Sequence, residues 1–245
     1  MAKSKGYQKR FYRELTKDSD LIGQEIVVKE TDLFIFAEKD IRAVAEKIVR
    51  KYRAQIDGYI KYRPEFMASL EPITQDDSTP DIIKEMIRTT ELAGVGPMAS
   101  VAGAVAEFGG NELLAYSRQI IIENGGDIFI KSSKERRVAI YAGNSPLSNK
   151  ISIIVKPGDT PIGICTSSGT VGHSLSFGKA DACVIIAKSA TLADAVATVA
   201  CNRIKEKKDI APSLEFALSI QGVKGAVAIL GKDLGSMGNI ELAEM

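Results

Sequence analysis

The sequence is poor in the side chains that build metal clusters and covalent staples. It has one histidine, His173, and three cysteines, Cys165, Cys183 and Cys201, with no Cys-x-x-Cys pair. That is too few for a Cys/His zinc site, and an odd number of cysteines cannot all pair, which fits a reducing compartment. Long apolar runs are also missing. Ile151–Val155 and Cys183–Ala187 are strand-sized, far short of a membrane span. The opening Met1-Ala-Lys-Ser-Lys runs into Tyr7-Gln-Lys-Arg-Phe-Tyr with no apolar stretch behind it, so no signal peptide is expected. Nor is there an excess of either charge: 32 Lys and Arg against 31 Asp and Glu leave a net of +1, which argues against a dedicated nucleic-acid binder. The expectation is a soluble, cytoplasmic protein with neither a nucleic-acid nor a membrane partner.

What is present is ordinary globular material, 245 residues with 45% hydrophobic and 26% charged. Such a chain buries about 70–75% of its unfolded surface without staples, and its length is about the upper size for one domain or enough for two small ones. Its first 63 residues are basic, with 15 Lys and Arg against 10 Asp and Glu, a pattern suited to a solvated helix face. Gln24–Ala37 reads as a hairpin about Glu30-Thr-Asp32, and a helix opens at Asp40 and runs until Pro64 forbids it. Thr79-Pro80-Asp81 has the form of a helix start, with Thr79 as cap. Beyond it, 13 of the 21 glycines fall between Gly94 and Gly178, among short β-rich runs. A small-residue helix is expected over Ala99–Phe108 and another over Thr191–Arg203. Strands are expected at Gln119–Glu123, Arg137–Ala142, Ile151–Lys156, Ile162–Thr166, Val184–Lys188 and Ala226–Leu230. A further helix falls near Ser213–Ile220, and the chain ends in a Gly-containing tail. Hairpins among these elements exclude a purely parallel sheet and give an α+β class.

Four segments could carry chemistry. In Glu91-Leu-Ala-Gly-Val-Gly-Pro-Met98, Gly94 and Gly96 precede a helix, where backbone amides suit an anion; close packing through small side chains is the alternative. Asn124-Gly125-Gly126-Asp127 has the residues of a tight turn needing positive φ, whatever else it does. Gly163–Gly178 crowds Cys165, Thr166, Ser167, Ser168, Gly169, Thr170, His173 and Ser174 into one hydroxyl-rich stretch suited to phosphate or carboxylate oxygens. Cys165 would be a nucleophile if an electropositive pocket lowered its pKa, and otherwise a small core residue. Finally, Asp194 and Thr198 lie one turn apart on one helix face, a spacing that suits Mg²⁺. Thr191-x-x-Asp194 is equally the spacing of a capping box, and spacing alone favours the cap.

In this order, the four segments resemble the ApbE-like superfamily, whose best-known members are magnesium-dependent transferases that move FMN from FAD to a protein threonine. Cys165-Thr-Ser-Ser-Gly-Thr-Val-Gly-His-Ser174 is similar to the signature of a mainly archaeal and bacterial branch, and the likeness covers about Glu91 to Arg203. The resemblance implies a single α+β domain over 1–245 with an ApbE-like fold of two related antiparallel sheet units and packed helices. It implies a flavin or other diphosphate-nucleotide ligand (FAD or FMN) and Mg²⁺ on Asp194 and Thr198. Amides of Gly94 and Gly96, the Asn124–Asp127 turn and Thr166–Gly169 would contact the ligand, with Glu91 and His173 at the reacting group. Departures are local. Glu91 and Pro97 stand where the transferases have Asp and Lys, and their His-Ile-x-Asp-Pro segment is absent. Two other classes fit the same residues: a persulfide carrier of sulfur assimilation built on Cys165, and a non-catalytic ligand-binding module. Exposed sheet edges would permit a homo-oligomer.

Overall fold

In the computed structural model, residues 20–76, 79–171 and 176–245 are described. The first hairpin pairs β1 (Ile22–Val28) with β2 (Thr31–Ala37) in the register Val28↔Thr31. Its turn falls at Lys29 and Glu30, with Lys29 at φ 55°, earlier than expected, so Thr31 and Asp32 belong to the strand. α1 (Arg42–Tyr62) ends just before Pro64, and α2 (Glu65–Ala68) is a single turn. α3 (Asp81–Ala93) begins after Pro80, which holds the N-cap position. Thr79 does not cap it, because its hydroxyl donates backwards to Asp76 at 2.9 Å.

A short turn, Pro97–Ser100, leads into α4 (Val101–Leu113), then β3 (Ile120–Asn124) and β4 (Asp127–Lys131). β5 (Arg136–Ala139), β6 (Ile151–Val155), β7 (Ile162–Ser167) and β8 (Ala182–Ala187) follow, then α5 (Ala190–Arg203) and α6 (Ile210–Ser219). The tail is more regular than its composition suggested: after β9 (Val223–Leu230) come β10 (Asp233–Gly238) and β11 (Leu242–Glu244).

Eight strands form one sheet in the order β1-β2-β3-β4-β7-β8-β9-β10, and β11-β6-β5 form a second. Every pairing is antiparallel. The large sheet consists of two related units. In each, a hairpin leads into helices and the chain returns as a second hairpin: β1 and β2 with β3 and β4, then β7 and β8 with β9 and β10. The units join where β4 pairs with β7.

Both faces of this sheet are covered, which explains the near-continuous apolar runs of its central strands. Leu33, Ile35, Ile120, Ile122, Cys183 and Ile185 pack under the helices, while Ile121, Ile164, Val184, Ile186 and Val227 face the three-stranded sheet. α5 is built from alanines because it lies directly on β7, where a side chain at Gly163 would meet the Ala190 backbone at 2.3 Å. None of the helices is long and apolar enough to cross a membrane alone, among the described residues.

Candidate functional site

The β3–β4 turn is a two-residue hairpin in which Asn124 pairs with Asp127 across Gly125 (φ 70°) and Gly126 (φ 110°). Positive φ at both positions is what these glycines supply. Because Asp127 is in register with Cys165, the turn lies against the end of β7, where Thr166, Ser167 and Ser168 begin the hydroxyl-rich loop. The structure thus joins two of the four segments.

α4 and α5 bring in the rest. The Asn124 side-chain amide donates to the Ala102 carbonyl at 3.0 Å, and the next N–H, that of Gly103, donates to Asp194 Oδ2 at 2.9 Å. Both ends of one peptide unit in the first turn of α4 are therefore held, by the hairpin on one side and α5 on the other. Asp194 serves α4 as a cap supplied from another helix, which satisfies an otherwise orphaned N–H.

The capping box expected at Thr191-x-x-Asp194 does not form. Ser189 is the N-cap of α5, its hydroxyl accepting from Leu192 N. Glu107 does the remaining work. Its Oε2 accepts from Ser189 Oγ at 2.7 Å, Thr191 N at 2.9 Å and Thr191 Oγ1 at 2.8 Å. So each helix receives a carboxylate from the other at its N-terminus, and Asp194 is released from its own. Sequence reasoning missed Glu107. The available signal was its place one turn after Gly103, an acid in a helix otherwise made almost wholly of small and apolar residues.

The electrostatics of this corner are unusual. Burial pushes the Asp194 carboxyl up to about 7, against the Gly103 and Ala102 amides that pull it down. Burial, then the Asp194 charge, drives Asp127 well above the carboxylate range. Its Oδ1 is enclosed and has no hydrogen-bond partner among the described residues. Two acids thus share one corner, Asp127 buried and Asp194 partly exposed, and neither forms an ion pair with Lys or Arg among the described residues.

Cys165 is fully buried, and its thiol donates to the Ala190 carbonyl at 3.3 Å. Burial and the charges of Asp127 and Asp194 push its pKa well up. The electropositive pocket that a nucleophile or persulfide carrier needs is replaced here by an acidic one, so Cys165 is a core residue. Gly94 and Gly96 also have structural occupations. Gly94, at φ 72°, closes α3, its N–H donating to the Glu91 and Thr90 carbonyls. A Cβ at Gly96 would lie 1.9 Å from the Ser69 carbonyl oxygen. The amide that meets the Asp194 carboxylate belongs to Gly103 instead, while Glu91 sits exposed on α3.

In the loop, Ser168 Oγ accepts from Thr170 N and Val171 N, and Gly169 N donates to the Ala180 carbonyl, so these groups are engaged within the loop. Thr166 is partly exposed at the strand end, and Thr198 is partly exposed one turn beyond Asp194. His173 lies outside the described residues. Among the described residues no group of three or more His, Cys, Asp and Glu is placed to hold a metal ion, so a cation here would take hydroxyl, carbonyl or ligand oxygens beside one or two carboxylates.

The arrangement of paired sheet units matches solved ApbE structures. The flavin transferase ApbE from Vibrio cholerae aligns with a TM-score of 0.62 at 15% identity, covering 89% of this chain and 96% of that one. The flavinyl transferase ApbE of Pseudomonas stutzeri aligns at 0.58 and 14%, covering 89% and 94%. At such identities the likeness establishes an ApbE fold. Sequence relatives are nearer: the UPF0280 protein of Methanococcus aeolicus is 41% identical over 226 residues, 90% of this chain and 91% of the relative. That of Methanocaldococcus jannaschii is 39% identical over 223 residues, 89% and 91%. The family model described as AbpE bacteria matches residues 13–236, and the chain belongs to that family, within the ApbE-like superfamily.

Proposed function

We propose that this protein binds FAD or a related diphosphate nucleotide together with Mg²⁺, and that it transfers the FMN part of FAD to an acceptor hydroxyl with release of AMP; two proteins of its fold are named flavin or flavinyl transferases. The observation that carries the reading is the partly buried Asp194 carboxylate, held against the first turn of α4 with no cationic side chain beside it among the described residues. Its donor chemistry fits the ion: Asp194 and the Thr198 hydroxyl are hard oxygen donors one turn apart, the kind Mg²⁺ takes while keeping waters and phosphate oxygens. Bound there, Mg²⁺ would neutralise diphosphate charge. The protein's own part is positional. Gly103 N–H holds Asp194 Oδ2, Asn124 holds the same peptide from the opposite side, and Thr166 opens the hydroxyl-rich loop beside the turn.

The direct test is titration of FAD, FMN and ADP, each with and without Mg²⁺, into wild type and Asp194→Asn. Mg²⁺-dependent binding is expected in wild type and its loss in the variant. Mg²⁺ must displace a proton from a carboxyl that titrates near 7, so apparent affinity is expected to weaken as the pH falls through that value. Transfer would appear as AMP released from FAD. Absence of binding by all three ligands, with or without Mg²⁺, would refute the proposal.

A further inference from the structure

The Asp127 carboxylate meets the Cys165 thiol and the Thr166 backbone, and its Oδ1 is left over. The turn it follows is made by Gly125 and Gly126, whose positive φ angles shape the hairpin whatever residue starts β4. Asp127 is only 8% exposed, and its Oδ1 is closed to water and lacks a partner among the described residues. Buried carboxylate oxygens are ordinarily hydrogen-bonded, paired or coordinating a metal.

Its surroundings choose among these. Asn124, the cross-strand partner of Asp127, grips the carbonyl of the peptide whose N–H is on Asp194. Asn124 and Asp194 therefore hold one peptide unit from the hairpin and from α5, and Asp127 lies across the hairpin from Asn124. β4 also packs directly against α5, so both acids line one interface. Mg²⁺ takes oxygens at about 2.0–2.1 Å and fills the rest of its shell with waters and phosphate oxygens, so one or two protein carboxylates suffice for it. Ca²⁺, which takes about six to eight oxygen ligands at longer range, suits two carboxylates in a closed corner less well.

We infer that Asp127 is a second protein carboxylate ligand of the divalent cation, its unpartnered Oδ1 facing the ion that Asp194 holds from the opposite element. This rests on the cation reading given above and adds to it. It moves Asp127 from the nucleotide-contacting turn to the metal. It also makes the hairpin and α5, which belong to different sheet units, depend on one ion.

The test uses the full chain and Mn²⁺, titrated alone and with ADP and followed by the electron paramagnetic resonance of the free ion, with Mg²⁺ as competitor. Loss of a residue that merely supports a ligand weakens metal binding about 10–100-fold, so Asp127→Asn is expected to weaken Mn²⁺ at least tenfold. Thermal unfolding supplies the second readout. Metal-free Asp127→Asn is expected to melt above metal-free wild type near neutral pH, because wild type must take up a proton at this buried acid to fold, and to lose the Mg²⁺-induced rise in Tm. A residue that only shapes the turn would lower the metal-free Tm. Asp127→Ser is carried alongside in case the Asn variant does not fold. Wild-type Mn²⁺ affinity in Asp127→Asn, with affinity lost in Asp194→Asn, would overturn this inference and leave the cation reading standing. No Mn²⁺ binding by wild type, with or without ADP, would overturn both.

Discussion

Gly103→Ala is expected to destabilise the protein by about 3 kcal/mol, read as a lower urea midpoint with an unchanged slope. An added Cβ would lie 2.3 Å from the Ala190 carbonyl oxygen and 2.8 Å from Asp194 Cβ. Overpacking in a core usually costs about 1–3 kcal/mol, much of it relieved by rotamer changes. No such relief exists at Gly103, where the obstacles are a helix backbone and a Cβ. Alanine's better helix propensity returns only about 1 kcal/mol. Moving α5 away would also break the bond from Gly103 N to Asp194, so ligand binding should fall with stability. Gly58→Ala is the control. Nothing lies within 4 Å of a Cβ there, on the exposed face of α1, and a gain of about 0.5–1 kcal/mol is expected. If Gly103→Ala were as stable as wild type, the close crossing of α4 and α5 would be wrong.

Glu107→Ala is expected to cost a similar amount, about 3 kcal/mol, for a different reason. One oxygen collects three donors from the first turn of α5, and Thr191 among them is fully buried. Truncation leaves donors without an acceptor, at about 1–3 kcal/mol for each buried group that water cannot reach. Glu107→Gln retains an acceptor oxygen and loses only the charge, so about 1 kcal/mol is expected. The ratio of the two is informative: equal losses in urea melts would mean that the carboxylate charge, and not the acceptor oxygen or the packing that Gln retains, holds α5.

The architecture was legible wherever periodicity and turn chemistry agreed. Pro64 stopped α1, Asn124-Gly-Gly-Asp127 made its hairpin, and the apolar runs of β7 and β8 became strands buried on both faces. The tail was not legible. Asp233-Leu-Gly-Ser-Met-Gly238 has weak strand character of its own, and β10 exists because β9 offers it a complete ladder, with Gly235 tucked beneath Ile210. Propensity yields there to tertiary pairing.

At the site, the local signals misdirected in an instructive way. Gly94 and Gly96 attract notice as a Gly-x-Gly, yet one closes a helix and the other admits a carbonyl. Thr191-x-x-Asp194 looks like a self-contained cap, yet Ser189 and Glu107 fill that role and free the aspartate. Cys165 looks exposed to chemistry by its polar neighbours in sequence, but strand alternation turns it under α5. What could not be read is the reciprocal exchange of carboxylates between α4 and α5. It depends on two residues 84 positions apart meeting in space, Glu107 and Thr191, and no local pattern encodes that meeting.

The most direct measurement is an anomalous-scattering map from crystals of the full chain soaked in Mn²⁺. The expected result is a single strong peak bonded to carboxylate oxygens of Asp194 and Asp127, beside the Ala102–Gly103 peptide. A map with no density there, and the Asp194 side chain swung away from Gly103 into solvent, would contradict the account.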